Sequence, residues 1–523
     1  MATYVAVPQP QAKGKSLPWF AGGMAIVSAI ALIKLAIHLY ADRFYGYFVD
    51  ELYFIACSKH LAAGYVDQPP LIAFIVRFER MLFGDSLQSI RFLPALAGAA
   101  KVMLAGWMAR ELGGNRFAQG MAALATLMCT GYFAFDHYVS MNSFEPLFWM
   151  GAAAVVIRVV KTGNQKLWLW FGVIAGFGLE NKHSMLFFGF GILIGLVLSE
   201  HRAMLLKPWI WAGALLALLI FLPNLIWNIQ HHWPFLELLS NIRKSGRNVQ
   251  LSYLQFLKQQ IELVMPANAV LWIGGLLWLL FSRVAKPYRL LATTYLVILA
   301  CMLKMDGRTY YMLPAYPMLF AAGGVALENW LAGRRLRWLK PIYAAAVIAI
   351  GAIGAPMAVP VLPAPLFIRY MDAMHMTPPR IENHKMGPLP QFYADMFGWE
   401  EMTEVVAKAY LALPPEERQQ TAIFGSNFGQ AGAIDLFGKK YGLPDAIGNH
   451  QNYWYWGPRQ YSGDSVIVMG ASRSELEPFW KEITAVGHVY HPYAMPYEEF
   501  EFYHCRGIKM PISELWPKIK NWR

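Results

Sequence analysis

Tyr47-Phe48-Val49-Asp50-Glu51-Leu52-Tyr53 follows the first long apolar run of the chain, and Asp67-Gln68-Pro69-Pro70-Leu71 comes shortly after it. The run before it, residues 18–40, is long enough to cross a bilayer, which takes about 20 mostly apolar residues. Carboxylates just beyond such a run are costly unless a protein cavity or water receives them, which marks them as candidates for chemistry at a membrane surface. Ten further apolar runs lie outward from this stretch, at roughly 90–109, 117–135, 145–160, 167–182, 184–199, 208–226, 262–281, 288–304, 311–330 and 341–360. The fold class expected is a polytopic α-helical membrane protein. About 11 transmembrane helices occupy residues 1–360, and a C-terminal soluble α/β domain occupies residues 361–523.

Composition agrees. Of 523 residues, 56% are hydrophobic and only 15% charged, with a mean hydropathy of +0.33, more apolar surface than a soluble chain could keep dry. Trp 19, Tyr 26 and Phe 32 suit aromatic belts at the two interfaces. The net charge of +12 sits mainly in short loops, so it reads as membrane orientation and not as nucleic-acid binding. Alternate loops carry Lys13 and Lys15; Arg110 and Arg116; Arg158, Lys161 and Lys166; Arg202 and Lys207; Arg283, Lys286 and Arg289; and Arg334, Arg335, Arg337 and Lys340. Basic loops mark the cytoplasmic side. The N-terminus is therefore expected in the cytoplasm and the C-terminal domain outside, with Asp50, Asp67, Asp136, Glu145, Lys182 and Arg308 at one outer face. Of four cysteines, Cys129 and Cys301 read as packing residues, while Cys57 and Cys505 could share the outer compartment, although spacing gives a disulfide between them no support.

The outer segments carry the remaining signals. Phe48, Leu52, Ile55 and Ala56 repeat at helical spacing, which predicts a helix lying on the membrane with one face in lipid. Pro69-Pro70 breaks the chain, and a second helix starts at Leu71 and runs to Phe83. In segment 227–261, Arg243, Lys244, Arg247 and Lys258 depart from the positive-inside pattern. They suit either contact with anionic headgroups or a lid that gathers a phosphate-bearing substrate. In the C-terminal domain, strands are predicted at 421–425, 465–470, 487–491 and 500–505, and helices at 400–411, 430–441 and 474–484. The aromatic stretch Asn449–Gly457 reads as a docking surface, with stacking on sugar rings as the other reading.

Four groups could carry chemistry. Asp50-Glu51 suits a helix cap or a catalytic carboxylate. Asp67 is held in one pose by the Pro-Pro corner. Asp136-His137-Tyr138-Val139-Ser140-Met141-Asn142-Ser143-Phe144-Glu145-Pro146 offers a second acidic position facing Asp50, able to share a divalent cation (Mg, Mn or Zn) or to orient an acceptor. Lys182-His183 and Arg308 are basic at outer helix ends, where they snorkel to headgroups or stabilise the charge of a phosphate leaving group.

The order of these motifs, together with Arg91-Phe-Leu-Pro-Ala-Leu-Ala-Gly98 and Gly307-Arg-Thr-Tyr-Tyr-Met-Leu-Pro314-Ala-Tyr-Pro317, resembles the bacterial branch of the dolichyl-phosphate-mannose protein mannosyltransferase family. That family is similar to the aminoarabinose transferases that modify lipid A. The resemblance covers about residues 20–330. It implies a GT-C-type glycosyltransferase of the bacterial inner membrane, with a polyprenyl-phosphate sugar as donor and an extracytoplasmic lipid, glycan or protein as acceptor. It further implies Asp50, with Glu51 beside it, as the catalytic position; Asp67 near the metal or donor site; and Lys182, Arg308, Tyr310 and Tyr311 at the donor phosphate, where the reading of the residues themselves adds His183 beside Lys182 and Arg243, Lys244 and Arg247 as the cations that gather it. Family members commonly carry Asp where Asn142 stands and His where Gln68 stands, so Asp67 and Glu145 would be left to hold a metal. Two other classes fit the composition: a transporter or lipid flippase, and a non-catalytic assembly subunit.

Overall fold

A computed structural model describes residues 22–246, 249–333, 335–377 and 382–523. The helices are α1 (Gly23–Ala41), α2 (Val49–Lys59), α3 (Leu71–Phe83), α4 (Leu87–Glu111), α5 (Arg116–Leu127), α6 (Thr130–Phe135), α7 (Met141–Thr162), α8 (Trp168–Asn181), α9 (Met185–Val197), α10 (Pro208–Gln230), α11 (Pro234–Ser245), α12 (Tyr253–Leu263), α13 (Ala269–Phe281), α14 (Arg289–Lys304), α15 (Tyr316–Trp330) and α16 (Leu339–Gly354). All eleven expected spans coincide with helices. Among the described residues, six helical segments are long and apolar enough to cross a membrane alone: α1, α4, α7, α10, Lys286–Lys304 and Leu339–Met357. The others are shorter or broken. Helix α5 resumes as α6 after Met128-Cys129, and the chain bends by 101° between α12 and α13. The predicted span 262–281 therefore begins at Ala269.

Helix ends sort into two faces, as alternating spans require. At one face Arg158 and Lys161 pair with Glu111 at 3.0 and 3.3 Å, and Lys286 pairs with Glu200 at 2.8 Å. There too the Asn115 amide donates to Glu328 at 2.7 Å. The other face carries the ends of α1, α6, α8 and α14 and the whole of α2, α3, α11 and α12. Lipid tails give no hydrophobic drive between helices, so close backbone approach through small residues does the packing. Helices α8 and α10 meet at Gly172 and Gly213, where an added Cβ on Gly172 would lie 2.1 Å from the Gly213 carbonyl.

Helix α2 departs from expectation. It does not lie with one face in lipid: Glu51 through Ser58 are all buried. It is sandwiched between the bundle and α18 (Phe428–Phe437) of the C-terminal region, whose sequence partner α17 spans Trp399–Leu411. The amphipathic surface helix is α3, which buries Ile72, Ala73 and Val76 and exposes Phe74, Phe78, Met81 and Leu82.

The C-terminal region holds a five-stranded mixed sheet of β1 (Ala422–Gly425), β2 (Ile447–Gly448), β3 (Ser465–Met469), β4 (Trp480–Val489) and β5 (Phe500–Ile508), in the order β2-β1-β3-β5-β4. β1 runs parallel to β2 and β3, while β5 is antiparallel to β3 and β4. The helix predicted over 474–484 is only Arg473–Leu476. Strand pairing of Ile483 with Cys505 and Ala485 with Tyr503 outcompetes the local helical pattern, helped by the β-branched Thr484 and Val486. The predicted strand 487–491 is the end of this longer strand. The aromatic stretch docks on the first part of the chain: Trp456 stacks on His60, and the Tyr455 hydroxyl reaches the His231 carbonyl at 3.4 Å.

Candidate active site

The first turn of α2 separates its two acids. Phe48 is the N-cap, and its amide donates to Glu51 Oε2 at 2.8 Å. Glu51 is thus the capping carboxylate, not Asp50. Arg91 of α4 donates to both Glu51 oxygens, from Nε at 3.0 Å and Nη2 at 2.7 Å, and the Val139 amide adds a bond at 2.9 Å. With every lone pair engaged and no exposure, Glu51 fastens α2 to the bundle and cannot itself serve as a base. Asp50 points elsewhere on the turn and is only partly buried. It lies within electrostatic range of the buried Tyr138 phenol, as Tyr310 also does.

Asp136 is placed away from any acceptor. It pairs with Lys34 of α1 at 3.1 Å and forms a short contact with Lys101 of α4, all three side chains being buried. Gly98 makes the triad possible, because a Cβ there would stand 2.7 Å from Asp136 Oδ2 and 3.0 Å from Lys34 Cε. His137 is drawn into the neighbouring Arg91–Asp42 group, 3.1 Å from Arg91 Nη1.

The Lys182 ammonium donates to Asn142 Oδ1 at 2.7 Å and Glu145 Oε2 at 2.8 Å, and lies over the rings of Tyr310 and Tyr311 at 5.3 and 4.7 Å. The other Glu145 oxygen accepts a short bond from Ser184. Both tyrosines belong to the 3₁₀ turn Thr309–Ala315 that opens α15. Arg308 caps that turn and pairs with Glu382 at 3.2 Å. His183 turns the other way, toward Asn224 at 3.2 Å. Arg243 and Lys244 are exposed on the last turn of α11, beside the chain terminus and not beside Lys182. Arg247 lies outside the described residues.

Asp67 lies in a polar pocket against the C-terminal region. It accepts from the Tyr53 hydroxyl at 3.0 Å, and Asn452 Oδ1 accepts from the same hydroxyl and from the Val66 amide at 2.7 Å. Burial raises the Asp67 carboxyl to about 6. Asp67 and Glu145, expected to hold a divalent cation between them, have different hydrogen-bond partners. Glu145 is saturated by a lysine and a serine. Among the described residues no three His, Cys, Asp or Glu side chains gather as metal ligands. All four cysteines, Cys57 and Cys505 included, are free thiols.

Sequence reasoning missed residues that complete the site. Arg91 and Gly98 stood inside a quoted motif without a role. Lys34 and Lys101 were visible as charges inside apolar spans. From the C-terminal region, Glu382 reaches Arg308 and Asp395 reaches α2, and no local pattern announces either.

The chain is a helical bundle with cations and carboxylates gathered at one face and a small mixed sheet against it, and the structural matches that follow give it the GT-C fold. Residues 67–227 match the dolichyl-phosphate-mannose-protein mannosyltransferase family. The lipid A galacturonosyltransferase RgtD of Rhizobium johnstonii is 27% identical over 241 residues, 43% of this chain and 48% of that protein. The match thus spans about half of that relative's length. In structure, ArnT of Cupriavidus metallidurans bound to undecaprenyl phosphate superposes with a TM-score of 0.62 at 12% identity, covering 92% of this chain and 97% of ArnT. Apo ArnT superposes with a TM-score of 0.59 at 13% identity, with the same coverage. The resemblance drawn from the motifs holds by profile, by sequence and by fold.

Proposed function

We propose that this protein is a glycosyltransferase that moves a sugar from a polyprenyl-phosphate carrier to an acceptor at the outer face of a bacterial inner membrane, with its N-terminus in the cytoplasm. One observation carries the reading. Lys182, aligned by Asn142 and Glu145 under Tyr310 and Tyr311, shares a helix-end face with Arg308 and Asp50. Cations fixed in a partly buried site stabilise the charge that develops on a phosphate leaving group. Asp50 takes the proton of the acceptor hydroxyl as its oxygen attacks the anomeric carbon. The bond from that carbon to the phosphate oxygen breaks, the phosphate keeps the electron pair, and the configuration inverts. The intramembrane lysines that a transporter would line along a path are instead closed onto Asp136, which favours the transferase reading.

The test is turnover by purified protein with radiolabelled undecaprenyl-phosphate sugars, including galacturonic acid, and with lipid A, glycan and protein acceptors. Transfer is expected with at least one pair. Asp50→Asn is expected to lower kcat by about 100- to 10,000-fold, the range of general-base contributions. Transfer indifferent to Asp50→Asn, or none with any donor, would sink the assignment.

A further inference from the structure

Each cation offered to the carrier phosphate stands with its own carboxylate. Among the described residues, Lys182 pairs with Glu145 at 2.8 Å and Arg308 with Glu382 at 3.2 Å. Tyr311 lies within electrostatic range of both cations. The two carboxylates have different supports. Glu145 belongs to α7, and its second oxygen is taken by Ser184. Glu382 belongs to the segment that leads from the bundle to α17, and its side chain is only 5% exposed. Its second oxygen accepts from Gln391 Nε2 at 3.3 Å. The same oxygen lies 3.4 Å from His384 Nε2, which adds a positive charge there only when protonated. The adjacent Asn383 donates to the Gly246 carbonyl, at the end of α11, at 3.0 Å. Glu382 is thus held against Arg308 by contacts on both sides of it, while the Arg308 side chain stays 27% exposed.

Transfer changes the charge of the ligand beside these pairs. The sugar-bearing carrier is a phosphodiester with one negative charge. Once the bond to the anomeric carbon breaks and the phosphate keeps the electron pair, the spent carrier is a monoester of about 1.5–2 negative charges near neutral pH. Two unopposed cations would hold that product more tightly than the substrate, because Coulomb energy scales with the product of the charges. Resting on the reading of Arg308 as a donor-phosphate cation, we propose that Glu382 is a positioning residue for Arg308 that makes the site discriminate by charge, accepting the singly charged diester and shedding the more highly charged spent carrier. The carboxylate opposes the spent carrier up to about twice as strongly, in energy, as it opposes the diester.

Equilibrium binding of two probes to the full-length protein in detergent at pH 8 reads this without turnover. The probes are undecaprenyl phosphate and its methyl phosphodiester. Glu382→Gln, which keeps the shape and loses the charge, should tighten binding of the monoester about tenfold and of the methyl diester about threefold, since the logarithms follow the two charges. Glu382→Asp should keep the wild-type ratio between the probes. Weaker binding of both probes to Glu382→Gln would mean that the carboxylate merely holds Arg308 in place, and would overturn the proposal. Equal tightening of both, or no change in either, would also overturn it. Wild-type protein that binds neither probe would overturn the donor-phosphate reading of Arg308, and this inference with it. The expected ratio without transfer from any donor would count against the transferase reading and leave the discrimination standing.

Discussion

The adjacent acids of α2 show how much one residue of register decides. Glu51 is buried and fastened by Arg91, while Asp50 is partly buried and lies within electrostatic range of Tyr138. Removing one partner of a buried, hydrogen-bonded ion pair leaves the other charge uncompensated, at a typical cost of about 3–5 kcal/mol. Arg91→Met should therefore lower the melting temperature sharply in detergent. Glu51→Gln should do the same, because an amide cannot accept all four bonds. Asp50→Asn should leave melting nearly unmoved while removing turnover. Equal destabilisation by Glu51→Gln and Asp50→Asn would contradict the division of labour. The sequence displayed both acids but not this division. The capping role of Glu51 depends on Arg91, forty positions away, and on the Val139 amide, neither of which leaves a local trace. The same holds for Asp136. Its two lysines were visible, but their meeting point was not, since that rests on Gly98 leaving room between helices.

At the scale of elements, α2 joins the bundle to the C-terminal region. Its helical pattern was legible, yet the lipid face expected for it is covered by α18. Apolar periodicity says that a face is buried and does not say by what. The close approach runs through Gly432, where an added Cβ would lie 2.8 Å from the Leu52 carbonyl. Backbone cannot yield as a flexible side chain can, so Gly432→Val should push α18 off α2. The expected outcome is loss of transfer with the mixed sheet intact, checked by proteolysis and far-UV circular dichroism. Retained turnover would mean that contact between α2 and α18 is dispensable. Strand β4 carries a related lesson: its first residues read as helix because the pairing that makes them strand lies about twenty residues onward in β5.

For the whole molecule, the bundle was the most legible part, since span length and loop charge are local sums. The junction was the least legible, being made of single contacts between distant segments. That junction should be pH-sensitive. Burial raises Asp67 to about 6, Glu498 to about 7 and Asp395 to about 8, whereas the unfolded chain ionises them near 4. For a carboxyl raised on folding, the unfolded state releases its proton first, so stability is highest in acid and falls as pH rises from about 4 through the folded value. For buried Asp395 the slope is about 1.4 kcal/mol per pH unit over that interval. The melting temperature should accordingly drop between pH 5 and 8, and Asp395→Asn should flatten the drop. A rise over that range would refute the sign.

The sorting of helix ends into two faces makes the last claim that scale can test. Glu111, Arg158, Lys161, Lys286 and Glu200 meet at one end of the bundle, and Asp50, Lys182 and Arg308 gather at the other. In the proposed orientation the basic loops at the first end lie in the cytoplasm. Three native cysteines are buried and the fourth is half-buried, so the background for labelling single introduced cysteines is low. Arg335→Cys and Ser474→Cys, both at exposed positions, should react with an impermeant maleimide from opposite sides. In intact spheroplasts Ser474→Cys should label at once, and Arg335→Cys only after the membrane is opened. Labelling of both before opening would mean that a span has been miscounted. It would also separate the face bearing Asp50 from the compartment in which an extracytoplasmic acceptor waits.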